Sequence, residues 1–464
     1  LGPFNNPAPA SMQRGVGRIN VIAYHPTDPN IIYCGAPAGG FWYSNDKAQS
    51  WTKSNTDDLP RFGVSAIAVI PEANSTPLIL VGTGDRDAND APGYGVYVSM
   101  DGGVTFTPSN TGMGNDVVVN RLLVNSMDNN IIVAATSKGI FKSYDKGQNW
   151  VRTSPAIDFK DAVYHPEDTN FVYAAAGGTF YRSINGGNAW SIVSSGFTTA
   201  SKRRLAIAVT KAQPDLVYVI AVNSNRGMEG LYKSSNKGAN FALQLSGTVY
   251  NPLSNSQNGT GTAGQGEYDL AIESSPSDSN IVYVGGINVF RSIDGGKTFR
   301  CKAFWSFSAT IPWVHADIHY IGRNPINNEL WIGSDGGIDY TAEERLPSGA
   351  GVDNLFPIIN NRNSGLVIAQ FYNLGVSQSS LTKFITGSQD NGTSAGTNKF
   401  DWTAELGGDG MQCEISNFDT RVMFGCIQYG DLNRSINDGG SWNFIANSIN
   451  ERPGPWITPY HLHP

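Results

Sequence analysis

The chain has 464 residues, 53 of them glycine, with only 15 % charged side chains and a net charge of −7 from 32 basic and 39 acidic residues. That length can bury a large core. An acidic balance whose only basic cluster is Lys202-Arg203-Arg204 argues against a nucleic-acid partner. No run reaches the ~18 apolar residues that a membrane helix needs. Leu1-Gly2-Pro3 is not a signal peptide, so export would require a leader already removed.

From the N-terminus, the first predicted strand ends at Ala23-Tyr24-His25-Pro26. A polar turn and a short apolar strand follow, Asp28-Pro29-Asn30-Ile31-Ile32-Tyr33. The next element is Ser44 to Trp51 around Asp46, the first copy of a phrase Ser-x-Asx-x-Gly-x-x-aromatic. Further copies centre on Asp101, Asp145, Asn185, Asn236, Asp294 and Asn437. Asx and Gly tighten a hairpin turn while the aromatic side chain buries itself beneath it, so the phrase signals architecture and names no reaction. Neighbouring copies lie between 40 residues (145 to 185) and 58 residues (236 to 294) apart, before one gap from 294 to 437. That gap retains two copies of the polar-turn-and-strand element, at Asn327 to Trp331 and at Leu381 to Ile385. Units of this length built from short strands and Gly/Asn turns predict an all-β, multi-bladed propeller of about nine blades. Helical repeats are disfavoured, because apolar runs are short and bounded by turn formers.

Several segments carry chemistry. Gly84 to Asp90 offers three carboxylates, Asp85, Asp87 and Asp90, that could wrap Ca²⁺, although the EF-hand Gly and distal Glu are missing. A solvated Asx-rich loop is the plainer reading of the same residues. In Trp313 to Tyr320, strand alternation would turn His315, Asp317 and His319 to one face, a ligand set suited to a divalent metal or a polar row lining a channel. Asp335, Asp390 and Asp409 sit beside glycines at strand ends and join Asp317 as candidates for acid–base or sugar-binding work, or for turn capping. Cys413 and Cys426 flank a predicted hairpin, which allows a disulfide or two buried thiols. Cys34 and Cys301 cannot be paired from sequence. The last residues, Tyr460-His461-Leu462-His463-Pro464, look like the end of another first strand. They suggest a tenth unit begun and continued elsewhere in a longer polypeptide.

Six phrases occur in order: Gly264 to Leu270, Val314 to His319, Gly333 to Gly337, Gln370-Phe371-Tyr372, Gly387 to Gly392 and Gly407 to Gly410. Together they resemble the large bacterial sortilin-like, Asp-box propeller proteins. The resemblance implies a secreted or cell-surface protein, often cargo of the type IX secretion system. It also implies either one ring of about ten blades or two seven-bladed rings as in xyloglucanases. In the second case residues 1–360 form the first ring and 361–464 begin the second, with a junction near Pro347 to Gly365. Xyloglucanases carry a catalytic Asp-x-Gly-Gly loop after the second strand of the first blade. Here the matching segment is Ala36-Pro37-Ala38-Gly39-Gly40, with Pro37 in the Asp position.

Three functions follow as expectations. The first is a surface module binding a protein or glycan partner. The alternative is a glycoside hydrolase of the xyloglucanase or sialidase kind, though no Arg-Ile-Pro start is present and Gly17-Arg18-Ile19-Asn20 is the nearest segment. The third is a metal-dependent activity at the His-Asp-His row.

Overall fold

The computed structural model describes residues 2–7, 15–72, 76–342, 357–398, 401–446 and 453–463. Nine four-stranded antiparallel sheets succeed one another among these residues, each with its strands in chain order. They span residues 21–53, 64–108, 119–152, 161–192, 205–246, 271–303, 318–361, 371–406 and 410–444. The described residues contain no α-helix.

The repeated phrase makes the turn between third and fourth strands. In sheet three, Ser143 Oγ donates to Asp145 Oδ1 at 2.8 Å, and the Gly147 N–H donates back to Ser143 Oγ at 2.8 Å. The Asn149 N–H reaches Asp145 Oδ1 at 2.9 Å, and Gly147 supplies a φ of 88°. Trp150 then folds under the turn, buried, with its indole N–H on the Ser109 carbonyl of the preceding sheet at 2.9 Å. Each turn thereby fixes its own sheet and staples it to a neighbour. The same Ser-to-Asx bond recurs at Asp46, Asp101, Asn185, Asn236, Asp294 and Asn437.

The first seven sheets come round to meet. A cavity of about 350 Å³ is lined by the innermost strands of all seven, including Ile22, Ile67, Leu122, Ala162, Ile207, Ile272 and Ile321. Residues 16–20 bridge the last of these sheets to the first: Ile19 N–H donates to Ser334 O and Asn20 N–H to Gly35 O, both at 3.0 Å. Lys47 pairs with Glu329 across the same seam, and the Trp51 indole reaches Arg362 O at 2.8 Å. Sheets eight and nine pack on each other through Ile385, Cys413, Ile415 and Met423. The proposed junction from Pro347 lies largely outside the described residues, but residues 363–368 lie against sheet one, with Leu366 and Ile368 in one core with Trp42 and Trp51. Tyr460 to Leu462 forms no strand; it runs beside Gln412 and Glu414, with Tyr460 Oη on Gln412 O at 3.1 Å.

The disulfide expectation is corrected. All four cysteines are free and buried. Cys413 pairs with Gly425, while Cys426 pairs with Leu432, so a one-residue offset turns the two thiols to opposite faces.

Asp339, in the third strand of sheet seven (Gly337–Thr341), is buried, and among the described residues Asn361 is its side-chain donor, at 3.1 Å. Burial pushes this carboxyl up to about 7. The folded state therefore binds the proton more tightly than the unfolded chain, and stability falls as pH rises from about 4 to about 7. Asp339→Asn cannot ionise, so it is expected to match the parent near pH 4 and exceed it by a few kcal/mol above pH 7. Urea melts at both pH values check this; equal stabilities at the higher pH would refute it.

Candidate functional site

In an antiparallel meander, the start of the first strand and the end of the second lie on the same edge. Every charged residue placed at these two positions is therefore delivered to one face of the ring. Asp85 follows the second strand of sheet two (Leu78–Thr83), Asp335 that of sheet seven (Leu330–Ser334) and Asp390 that of sheet eight (Phe384–Ser388). Arg204, Asp317 and Asp409 stand immediately before first strands, those of sheets five (Leu205–Val209), seven (Ile318–Arg323) and nine (Gly410–Ile415). Tyr268 and Asp269 precede that of sheet six (Ala271–Ser274). The repeat thus gathers side chains that are hundreds of residues apart.

They meet in a buried network with a cationic half and an anionic half. Asp87 takes Arg86 Nε and Nη2 at 3.1 and 3.0 Å, Arg204 Nη2 at 2.7 Å and His319 Nδ1 at 2.9 Å. Burial would favour its neutral form, but Arg86, Arg204 and His319 hold the carboxyl well below its usual range. Arg18 donates to Asp85 Oδ2 at 2.8 Å, to Asp90 Oδ1 at 3.2 Å and to Tyr268 Oη at 3.0 Å. Burial and a hydrogen bond to Asp85 push Asp90 up to about 6.

His319 links the halves. Its Nε2 meets Asp335 Oδ1 at 2.8 Å, and these two carboxylates, outweighing burial, raise the imidazole to about 9. Asp335 Oδ2 also accepts from Tyr268 Oη at 2.5 Å. Burial opposes its charge, yet His319, a hydrogen bond from Asp390 and the nearby Arg18 keep Asp335 ionised, below the usual range. Asp390, half-buried and hydrogen-bonded to that carboxylate, with no cation in hydrogen-bond contact among the described residues, is pushed well above its ordinary value and keeps its proton. Its own N–H donates to Asp409 Oδ1 at 3.0 Å, and burial raises Asp409 as well. Asp317 accepts from Gln265 Nε2 at 2.9 Å; burial and the Asp335 charge push it up to about 7. Oxygens of Asp317, Asp335 and Asp390 lie within 4.8 Å of one another, close enough to share protons or a cation.

The structure thus brings Asp317, Asp335, Asp390 and Asp409 together, and it rearranges the other candidates. The first strand of sheet seven starts only at Ile318, and Asp317 has a φ of 65°, so His315, Asp317 and His319 do not share a strand face. His315 instead lies over Gly336, where a Cβ would come within 2.2 Å of its Cγ, and its Nδ1 lies 3.2 Å from the Ala316 carbonyl. Both ring nitrogens of His319 are taken by carboxylates, which removes it as a metal ligand. In the loop read as a Ca²⁺ candidate, Asp85 and Asp87 are neutralised by arginines, and Asp90 leans on Arg18 and Gln370. Sequence reasoning missed Arg18, Arg86, Arg204 and Asp269; their shared signal is a charged residue at a strand start or a second-strand turn.

No protein-family model matches the chain. A xyloglucanase from a Paenibacillus species is 23 % identical over 245 residues, covering 52 % of this chain and 22 % of the relative. A xyloglucanase from Acetivibrio thermocellus is 24 % identical over 243 residues, 47 % of this chain and 24 % of that one. These matches therefore span about a quarter of the curated relatives' length. Among solved structures, an ancestral GH74 enzyme superposes with a TM-score of 0.65 at 16 % identity, covering 96 % of this chain and 64 % of the other. The GH74 xyloglucanase of Xanthomonas campestris gives 0.60 at 16 %, covering 94 % and 74 %. PorZ, a surface component of the type-IX secretion system of Porphyromonas gingivalis, gives 0.51 at 13 %, covering 96 % and 54 %. At these identities the structural likeness establishes one thing, a β-propeller fold.

Proposed function

We propose that the chain carries the catalytic centre of an extracellular glycoside hydrolase acting on a β-linked plant-wall glucan of the xyloglucan type. The observation that carries the reading is the contact between Asp335 of sheet seven and Asp390 of sheet eight. Glycosidic cleavage uses one ionised and one protonated carboxyl group set about 5–10 Å apart. Asp335 and Asp390 supply those two protonation states from neighbouring sheets, and a sugar ring entering between them would part them to that separation. In this role Asp390 protonates the leaving oxygen, and Asp335 faces the anomeric centre or the water that attacks it. The xyloglucanase relatives support the substrate class, and the blade position explains Pro37. That residue directly follows the second strand of sheet one (Ile32–Ala36), as Asp335 follows that of sheet seven, so the carboxylate occupies the equivalent turn six sheets later.

The surface-module reading, with export as type IX cargo, has less behind it: the PorZ likeness is confined to fold, and a rim built only for binding has no need of a proton-sharing pair. Incubation with xyloglucan and a panel of plant and host glycans tests the proposal. Reducing-end release that Asp390→Asn abolishes is the expected result. A panel without turnover would leave the binding module standing in its place.

A further inference from the structure

Once their protons leave, the carboxylates of the anionic half outnumber the cations that face them. Arg18 is committed to Asp85 and Asp90, and Arg86 and Arg204 to Asp87. Among the described residues, His319 is the one cation in hydrogen-bond contact with any of Asp269, Asp317, Asp335 and Asp390. Geometry adds a second point. Oxygens of Asp317, Asp335 and Asp390 lie within 4.8 Å of one another. Three carboxylate oxygens that close together suit a hard divalent cation, which takes oxygen ligands.

An independent observation points the same way. Asp269 is 0 % exposed, and among the described residues no other side chain donates a hydrogen bond to either of its carboxylate oxygens. The charge that bears on it most is that of Asp317, which pushes the Asp269 carboxyl further above its ordinary value. A buried carboxylate facing another with no donor between them is costly unless a proton or a cation sits there.

We propose that Asp317, Asp335 and Asp390, backed by Asp269, form a site for a divalent cation that prefers oxygen ligands, with Ca²⁺ as the ion to test. The site goes beyond the hydrolase reading and does not require it. If that reading holds, Ca²⁺ inhibits turnover, because a bound ion leaves Asp390 no proton to donate.

Calorimetric titration of chelator-treated protein with CaCl₂ tests the site. One saturable ion per chain is expected, with affinity reduced about tenfold or more in Asp317→Asn and unchanged in Asp419→Asn, a carboxylate outside the cluster that pairs with Arg421. Unaltered affinity in Asp317→Asn, or no saturable binding at millimolar Ca²⁺, would overturn the proposal. Should Asp317→Asn fail to fold, Tb³⁺ binding to the unaltered protein decides. Tyr268 lies against Asp335 and should sensitise Tb³⁺ emission that Ca²⁺ quenches by displacement, and silence would count against the site. Binding without glycan turnover would sink the hydrolase and leave the cation site standing.

Discussion

Asp87→Ala is expected to cost on the order of 3–5 kcal/mol, a large fraction of the stability of an ordinary domain. Asp87 is the counter-ion of two arginines and a histidine at once, and the Arg86 guanidinium beside it is 1 % exposed. Truncation would leave those cations in a low-dielectric interior, and the loss comes mainly from stranding them. Urea unfolding with an unchanged slope should show the loss; a variant within 1 kcal/mol of the parent would mean that water reaches Arg86. Asp87→Asn should fall between the two, since it keeps the volume and one acceptor. The damage should also spread to the site: His319 holds Asp335 only while its other nitrogen is fixed by Asp87.

Why some of this was legible in the sequence and some was not comes down to locality. The Ser143-to-Trp150 turn is readable because its donors and acceptors lie within four residues of one another. Seven such turns, with two further units that keep only the polar turn and strand, announced the propeller. The carboxylates at Asp335, Asp390 and Asp409 could be singled out for a similar reason, each being the acidic residue beside a glycine at a strand end. What sequence could not supply was their partners. Arg18 lies 67 residues from Asp85, and Arg204 lies 117 from Asp87. Only closure of the ring brings these together and turns an apparent Ca²⁺ loop into a set of ion pairs. The His315-Asp317-His319 row failed through one strand boundary, because alternation describes residues inside a strand and this strand begins only at Ile318, after His315 and Asp317. Cys413 and Cys426 failed in the same manner, through a register that slips by one.

The kinetic consequence of the Asp335–Asp390 contact can be separated into two roles. With xyloglucan, Asp390→Asn and Asp335→Asn are each expected to lower kcat by about 10²–10⁴-fold, the usual contribution of a positioned acid or base. An aryl glycoside whose leaving group departs without a proton should tell them apart. Asp390→Asn should recover most of its rate on that substrate, because no acid is needed, whereas Asp335→Asn should stay slow. The pH profile carries the same assignment. Asp390 must be protonated to act, and burial together with the neighbouring Asp335 charge raises its pKa, so activity is lost as pH rises through that value. Asp335, held below the usual carboxylate range by His319 and Arg18, stays ionised across the same span and adds no limb there. In Asp390→Asn the residual aryl-glycoside activity should lose the alkaline fall. If the fall persists in that variant, the acid is another group, and Asp317, pushed up to about 7 beside the same carboxylate, becomes the residue to replace next.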